Sequence, residues 1–453
     1  MPVDRTLKGN GATRRAFLKR GAGLAGALGG LALPAAAQAQ DAAWWETIFG
    51  SGSPITRRPP NDRERRQVDL NDLRENATPW LSDVMLESTQ SAIERYQLIV
   101  SQGGWPQVPG PRLMRPNDDD ERVPLLRRRL RATGELSAKS QYYDSYGFDG
   151  ELEAAVIRFQ SRNGLKPSGR VDRPTFAALN VTAEMRLAQL RLNMRRIQDL
   201  MRDRVPDRYI LVNVPAFQLE AVESFEVQQR HRVIAGRSER QTPEIRATVR
   251  ALNFFPYWHV PDSVARLDLV PRMRKDPGYL QREHIRAYRG GDYNQEIPLE
   301  TIDWNTVDTN LVKFRQDPGE WNALGLVRID MPNADIVYMH DTPMKQLFGQ
   351  ASRGYSAGCV RVQDVFDLVD WIAKYELGWE QPGRARAVVD AGQALDLTLT
   401  RQVPVIFAYI TAWGEPGGAV QFRPDLYDRD GAREFAGDID PEDQPQVPIR
   451  LAP

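Results

Sequence analysis

The chain of 453 residues is short of several things that would point to common functions. It has one cysteine, which excludes an intramolecular disulfide and any zinc site built from several thiolates. Its four histidines, His231, His259, His284 and His340, have none of the close spacings of a metal motif, and no metal or cofactor is expected. There is no excess of either charge: 60 Lys and Arg balance 60 Asp and Glu, which argues against a nucleic-acid partner. Nor is there an apolar run of the ~20 residues that a membrane helix needs. The longest candidate, Gly21–Leu33, has thirteen residues, five of them Gly. What is present is material for cores, with ten Trp, fourteen Tyr and fifteen Phe at a mean hydropathy of −0.51. At this length two or three domains are expected.

Residues 1–39 read as a targeting segment. Arg14-Arg15 precedes Phe17-Leu18, the apolar stretch follows, and Ala37-Gln38-Ala39 has the small-x-small form of a cleavage site. The pattern resembles a twin-arginine export signal and implies a periplasmic protein with no stable membrane insertion once the signal is removed. Removal leaves 54 bases against 59 acids, a net charge of −5.

Residues 40–122 read as a linker, Pro- and Arg-rich over 53–66, and a helical scaffold. Ile93, Tyr96, Ile99 and Val100 recur at helical spacing and Gly103-Gly104 stops the helix. The acidic run Asp118–Glu121 reads as a solvated loop, since it lacks the Gly and distal Glu of a calcium loop. Residues 123–181 carry three short amphipathic helices. Their string Phe159-Gln160, Gly164-Leu165, Thr175 and Leu179-Asn180 resembles the three-helix peptidoglycan-binding domain. One departure is Asp172 where that family usually has Gly, which is expected to reshape the turn; the alternative role of the three helices is that of a spacer. A linker helix follows over 182–206, with Leu187, Leu190, Met194, Ile197 and Met201 as its apolar stripe.

From 207 to 430 strands dominate: Tyr209–Val214, Arg232–Ala235, Val327–Ile329, Ile336–Met339, Leu395–Leu399 and Val403–Ile410, with one helix at Val365–Tyr375. Without regular strand–helix alternation, the fold class is α+β and multidomain, with a mixed, β-sandwich-like domain over 207–430. The tail, 431–453, is acidic, Pro-rich and expected to be disordered.

The lone thiol lies in Ser356-Ala357-Gly358-Cys359-Val360-Arg361, nineteen residues after His340 at the end of a strand. A thiol becomes a nucleophile when a base or a positive field favours its thiolate. His340 is the candidate base. The helix at Val365 and Arg361 are candidate sources of positive potential, and the N–H groups of Gly358 and Cys359 of an oxyanion hole. Together these residues read as a Cys/His acyl-transfer site.

This segment resembles the signature of the L,D-transpeptidase catalytic domain. The likeness extends through Gln241-Thr242-Pro243, Pro256–Pro261, Asp317–Gly325 and Thr411-Ala412-Trp413, as in the large multidomain branch of the YkuD-like family. It implies that 262–325 is an inserted capping lid, whose composition suits mobility. It also implies that Cys359 forms a thioester on a peptidoglycan stem peptide with His340 as base, giving a 3→3 cross-link. Tyr338, Ser356, Gly358 and Arg361 are then supporting, oxyanion or substrate residues, and the partners are stem peptides and glycan strands. His259 stands where Asn is more usual. The same site with another acceptor is a carboxypeptidase or hydrolase, or an enzyme anchoring a protein to the wall. A general cysteine peptidase and a non-catalytic wall-binding scaffold are further alternatives.

Overall fold

The computed structural model describes residues 77–110, 112–138 and 145–431. The export segment, the 53–66 linker and the tail from 432 onward lie outside the described residues.

Among the described residues the N-terminal scaffold begins with α1 (Asp83–Ser101), capped by the Ser82 hydroxyl on Met85 N–H and ended by Gly103 and Gly104. The three-helix domain follows as α2 (Val123–Ala132), α3 (Gly150–Arg162) and α4 (Arg173–Leu179). Leu126, Leu130, Leu152, Val156, Phe159, Phe176 and Leu179 form its core. Gln160 explains much of the motif. Fully buried, it accepts from Gly169 N–H at 2.9 Å and donates to Arg170 C=O at 2.7 Å, tying the turn to α3.

Two expectations change in this domain. The acidic loop is only partly solvated: Asp120 is buried, pairs with Arg122 at 2.6 Å, and is held far below the ordinary carboxylate range chiefly by that guanidinium. Asp172 does not distort its turn, because its φ is −91° and needs no glycine. Its carboxylate instead caps α4, accepting from Thr175 N–H at 3.1 Å and from the Thr175 hydroxyl at 2.6 Å.

Helix α5 (Ala183–Met201) links to the β-rich part. The strands are β1 (Arg208–Asn213), β2 (Gln218–Glu223), β3 (Glu226–Gly236), β4 (Ile245–Phe254), β5 (Trp258–His259), β6 (Ile285–Arg289), β7 (Glu296–Ile297) and β8 (Val312–Gln316). Then come β9 (Val327–Asp330), β10 (Met339–His340), β11 (Gly354–Ser356), β12 (Val360–Val362), β13 (Leu395–Ala408), β14 (Ala412–Gly414) and β15 (Val420–Phe422). Nine form one mixed sheet in the order β11-β3-β12-β10-β9-β4-β13-β1-β2, and β2 also pairs with β3. The sheet therefore rolls back on itself, so the sandwich-like expectation takes the form of a single closed layer. Leu395–Leu399 and Val403–Ile410 belong to one strand interrupted by a bulge. Ile336 is not in a strand: it is exposed with φ of +54°, and β10 starts only at Met339.

Alternation assigns the faces. Ile210 and Val212 point to the inner core, where α6 (Val365–Ala373) fills the space with Val365, Leu368, Val369 and Ile372. Tyr209 and Leu211, one residue out of phase, face outward onto Trp80, Met85, Ile197 and Trp413. That outer contact joins α1 and α5 to the nine-stranded sheet. The inserted segment has its own core of Trp258, Val264, Leu269, Tyr279, Ile285 and Phe314, and its own sheet, β5-β8-β6-β7. Among the described residues, no helix is long and apolar enough to cross a membrane.

Asp172→Ala is expected to lower the unfolding free energy by about 1 kcal/mol through loss of the cap. Urea denaturation reads this, and an unchanged midpoint would remove the cap from the account.

Candidate active site

Strands β10 and β12 pair in parallel, Met339 opposite Val360 and His340 opposite Arg361. Met339, Val360 and Val362 take the core face. By the same alternation, Tyr338, His340, Cys359 and Arg361 share the other face, with Tyr338 and Cys359 also touching the edge of the main core. This is the face covered by the inserted subdomain, whose core packs against Tyr338 and Ala357.

Cys359 is half-buried and unpaired with any other thiol. Burial pushes it up to about 11, against the backbone and hydroxyl of Tyr338, Arg361 and Arg328, all of which favour the thiolate. The Tyr338 hydroxyl donates toward the sulfur and accepts from the Trp258 side chain. Trp258 of β5 and the Cys359 sulfur are thus linked through the Tyr338 hydroxyl. Arg328 lies 5.6 Å from the centre of the Tyr338 ring.

His340 is buried. Burial and then Arg361 hold its imidazole down to about 3, against the carbonyls of Asp341 and Leu324. Nδ1 is 2.5 Å from the Asp341 carbonyl oxygen, which only accepts, so Nδ1 carries the hydrogen and Nε2 keeps the lone pair. Among the described residues no hydrogen bond joins His340 to Cys359. At neutral pH the pair is therefore a neutral thiol and a neutral imidazole on one face, not a standing thiolate.

The loop before the thiol is fixed by its own polar groups. Ser356 Oγ donates to Cys359 C=O at 2.5 Å and accepts from Gly358 N–H at 3.1 Å. Ser356 therefore shapes the loop and does not orient His340, and the Gly358 N–H is already engaged. The Cys359 N–H is the remaining backbone donor of this loop available as an oxyanion candidate. Gly358 has φ of +123°, a region closed to side-chain-bearing residues. Arg361 is buried, lowered to about 10 by desolvation, and donates to Met344 Sδ at 3.5 Å. The α6 helix follows β12 and packs on the core side.

Several positioning residues escaped the sequence reading. Thr242, fully buried, donates to Gly358 C=O at 2.8 Å and accepts from Gly236 N–H at 2.8 Å. Its own N–H donates to Tyr427 Oη at 3.1 Å. Asp341 accepts from Leu326 N–H at 3.0 Å and pairs with Lys345. A Cβ on Gly325 would sit 2.4 Å from the Asp341 carboxylate, so glycine is what lets the lid's return segment reach the catalytic strand. Asn322 ties both lid stems together through Pro256 C=O at 3.1 Å and Asp317 C=O at 3.0 Å. The only available signal was that these residues sit in the strings Gln241–Pro243 and Asp317–Gly325. Of the other histidines, His259 rests against Tyr293 and is coupled to Arg328, the guanidinium that also acts on Cys359, whereas His284 stacks on Trp321 and His231 is buried between Gln363 C=O and Gln229 Oε1. Among the described residues no three metal-ligating side chains come together.

Residues 207–393 match the YkuD family, described as the L,D-transpeptidase catalytic domain. Residues 119–179 match the family described as "Putative peptidoglycan binding domain". A protein of Haemophilus influenzae described as "Putative L,D-transpeptidase" is 31% identical over 260 residues, which are 57% of this chain and 50% of that protein. The chain spans about half the length of that curated relative. Among solved structures, an L,D-transpeptidase from Mycobacterium smegmatis aligns at 14% identity and a TM-score of 0.21, over 44% of this chain and 58% of that one. One from Stackebrandtia nassauensis aligns at 12% and 0.24, over 67% and 97%.

With the thiol raised to about 11, its thiolate fraction climbs tenfold per pH unit below that value. Iodoacetamide alkylation of Cys359 is expected to speed up roughly 100-fold from pH 7 to pH 9, with no plateau near neutrality. Mass spectrometry of quenched samples measures it. A plateau by pH 7–8 would mean a standing thiolate. Tyr338→Phe removes a donor to the sulfur and slows the reaction throughout this range.

Proposed function

We propose that this chain, which joins an L,D-transpeptidase catalytic domain to a peptidoglycan-binding domain, forms 3→3 cross-links between peptidoglycan stem peptides outside the cytoplasm. The observation that carries the reading is the parallel β10–β12 ladder, because it brings the only cysteine and a buried imidazole to one face beside Tyr338, which the cap's core touches.

The reaction runs in two halves. As Cys359 Sγ attacks the carbonyl at the L-centre of a diaminopimelate residue, its proton passes to Nε2 of His340. Because both groups rest neutral, transfer accompanies attack and does not precede it, as general-base catalysis allows. The oxyanion faces the Cys359 N–H and the Tyr338 hydroxyl. Collapse breaks the bond to the terminal D-Ala nitrogen, which takes the proton back from His340, leaving a thioester. The side-chain amine of a second stem then attacks the thioester, gives its proton to His340 and expels the Cys359 sulfur, which regains that proton. No ATP is consumed, since one amide bond is exchanged for another. The buried guanidinium of Arg361 opposes a lasting imidazolium, so His340 passes its proton on readily.

The test is incubation of the full chain with disaccharide-tetrapeptide, read by mass spectrometry. A cross-linked dimer is the expected product. Tripeptide without dimer would assign water as acceptor and overturn the transpeptidase reading. Cys359→Ala is expected to abolish D-Ala release, and His340→Gln to slow it by roughly 10²–10⁴. Full turnover by Cys359→Ala would leave only a wall-binding scaffold.

A further inference from the structure

Beside the nucleophile loop lies a groove of about 580 Å³ lined by Arg237, Glu239, Arg240, Ser263, Leu267 and Ala357. Ala357 is two residues before Cys359, Ser263 and Leu267 come from the inserted cap, and the other three follow β3. The two arginines already hold a carboxylate. Asp268 of the cap lies 2.5 Å from Arg240 and 3.6 Å from Arg237, with its side chain and that of Arg240 each 12% exposed. Asp268 sits in a π-helical turn, Ala265–Leu269, an arrangement that recurs at functional sites. The segment carrying these arginines continues directly into Thr242, which holds the Gly358 carbonyl. Cap, arginine pair and nucleophile loop are thus mechanically continuous.

Two cations with an exposed carboxylate, Glu239, alongside them form a site of mixed sign. It fits a ligand that carries a carboxylate and an ammonium on one carbon, more closely than it fits a simple anion. On the cross-linking reading, to which this inference is tied, the acceptor amine belongs to such a group, the D-centre at the end of the diaminopimelate side chain. We propose that this groove is the acceptor subsite: Arg237 and Arg240 bind the D-centre carboxylate, Glu239 draws in the adjacent ammonium, which gives its extra proton to solvent before the free amine attacks, and Asp268 is a resident carboxylate that the acceptor displaces. The site then admits amino-acid ends and rejects simple amines, and acceptor entry breaks the cap's ion pair with the nucleophile-side loop.

The experiment uses the full chain with three stem peptides: unmodified tetrapeptide, an acceptor whose D-centre carboxylate is a carboxamide, and a donor whose terminal D-Ala carboxylate is a carboxamide. In the wild type, acceptor amidation is expected to raise the acceptor KM about tenfold or more, as for loss of a charge-assisted hydrogen bond. Release of D-Ala, the first half-reaction, stays unchanged. In the Arg237→Gln/Arg240→Gln double variant, acid and amide acceptors are expected to show the same raised KM. Unchanged Cys359 alkylation kinetics in that variant confirm an intact site. Equal KM for acid and amide acceptors in the wild type overturns the subsite, and this arm needs no variant to fold. A penalty from donor amidation alone moves the arginine pair to the leaving-group side and overturns the acceptor assignment. Absence of cross-linking with every stem would instead sink the function on which the subsite rests.

Discussion

The parallel pairing of β10 with β12 decides where four side chains of different chemistry go. Each strand is two or three residues long, so neither is stable alone; each depends on its other neighbour, β9 for β10 and β3 for β12. Register matters more than length. A slip of one residue would send Cys359 and His340 into the hydrocarbon core and bring Met339 and Val360 out. The inner core, with α6 seated in the rolled sheet, makes that slip costly, and the reactive face is in this sense a by-product of packing.

Burial then sets the chemistry. Burial raises the thiol, and desolvation and then Arg361 depress the imidazole. The site therefore rests uncharged at its two reacting atoms, and a lone thiol in an oxidising compartment is least vulnerable in that form. Tyr338, joined to Trp258 of the cap, offers a donor that matters once negative charge develops on sulfur or on a carbonyl oxygen.

Much of this was legible in the sequence, for reasons that differ by residue. Cys359 and His340 stand out because rare residue types flank a glycine and a strand end. The α3 and α5 stripes show because helical periodicity is local. Asp120 and Asp172 were misread because their partners, Arg122 and the first turn of α4, act through geometry that spacing alone does not reveal. Ile336 looked like strand because it is β-branched, yet Asn333 pins the preceding turn through Val337 N–H and C=O and leaves Ile336 at positive φ. Thr242 had no chance of being noticed on its own: it works through a contact 116 residues away in sequence.

The junction between the three-helix domain and the catalytic sheet deserves a mechanical reading. Arg196 and Gln189 of α5 converge on Asp430 at 2.5 and 3.2 Å, Asn193 donates to the Thr411 hydroxyl at 2.8 Å, and Arg423 donates to the Arg162 carbonyl at 3.2 Å. So many buried polar groups cannot slide past one another without losing partners. The linker helix, the three-helix domain and the end of the chain's β-rich part are thereby held like the two points of a locked compass. On the proposed function, bonds would be set at a constant offset from wherever the anchor grips, and the pattern of the mesh would carry the dimensions of this one molecule.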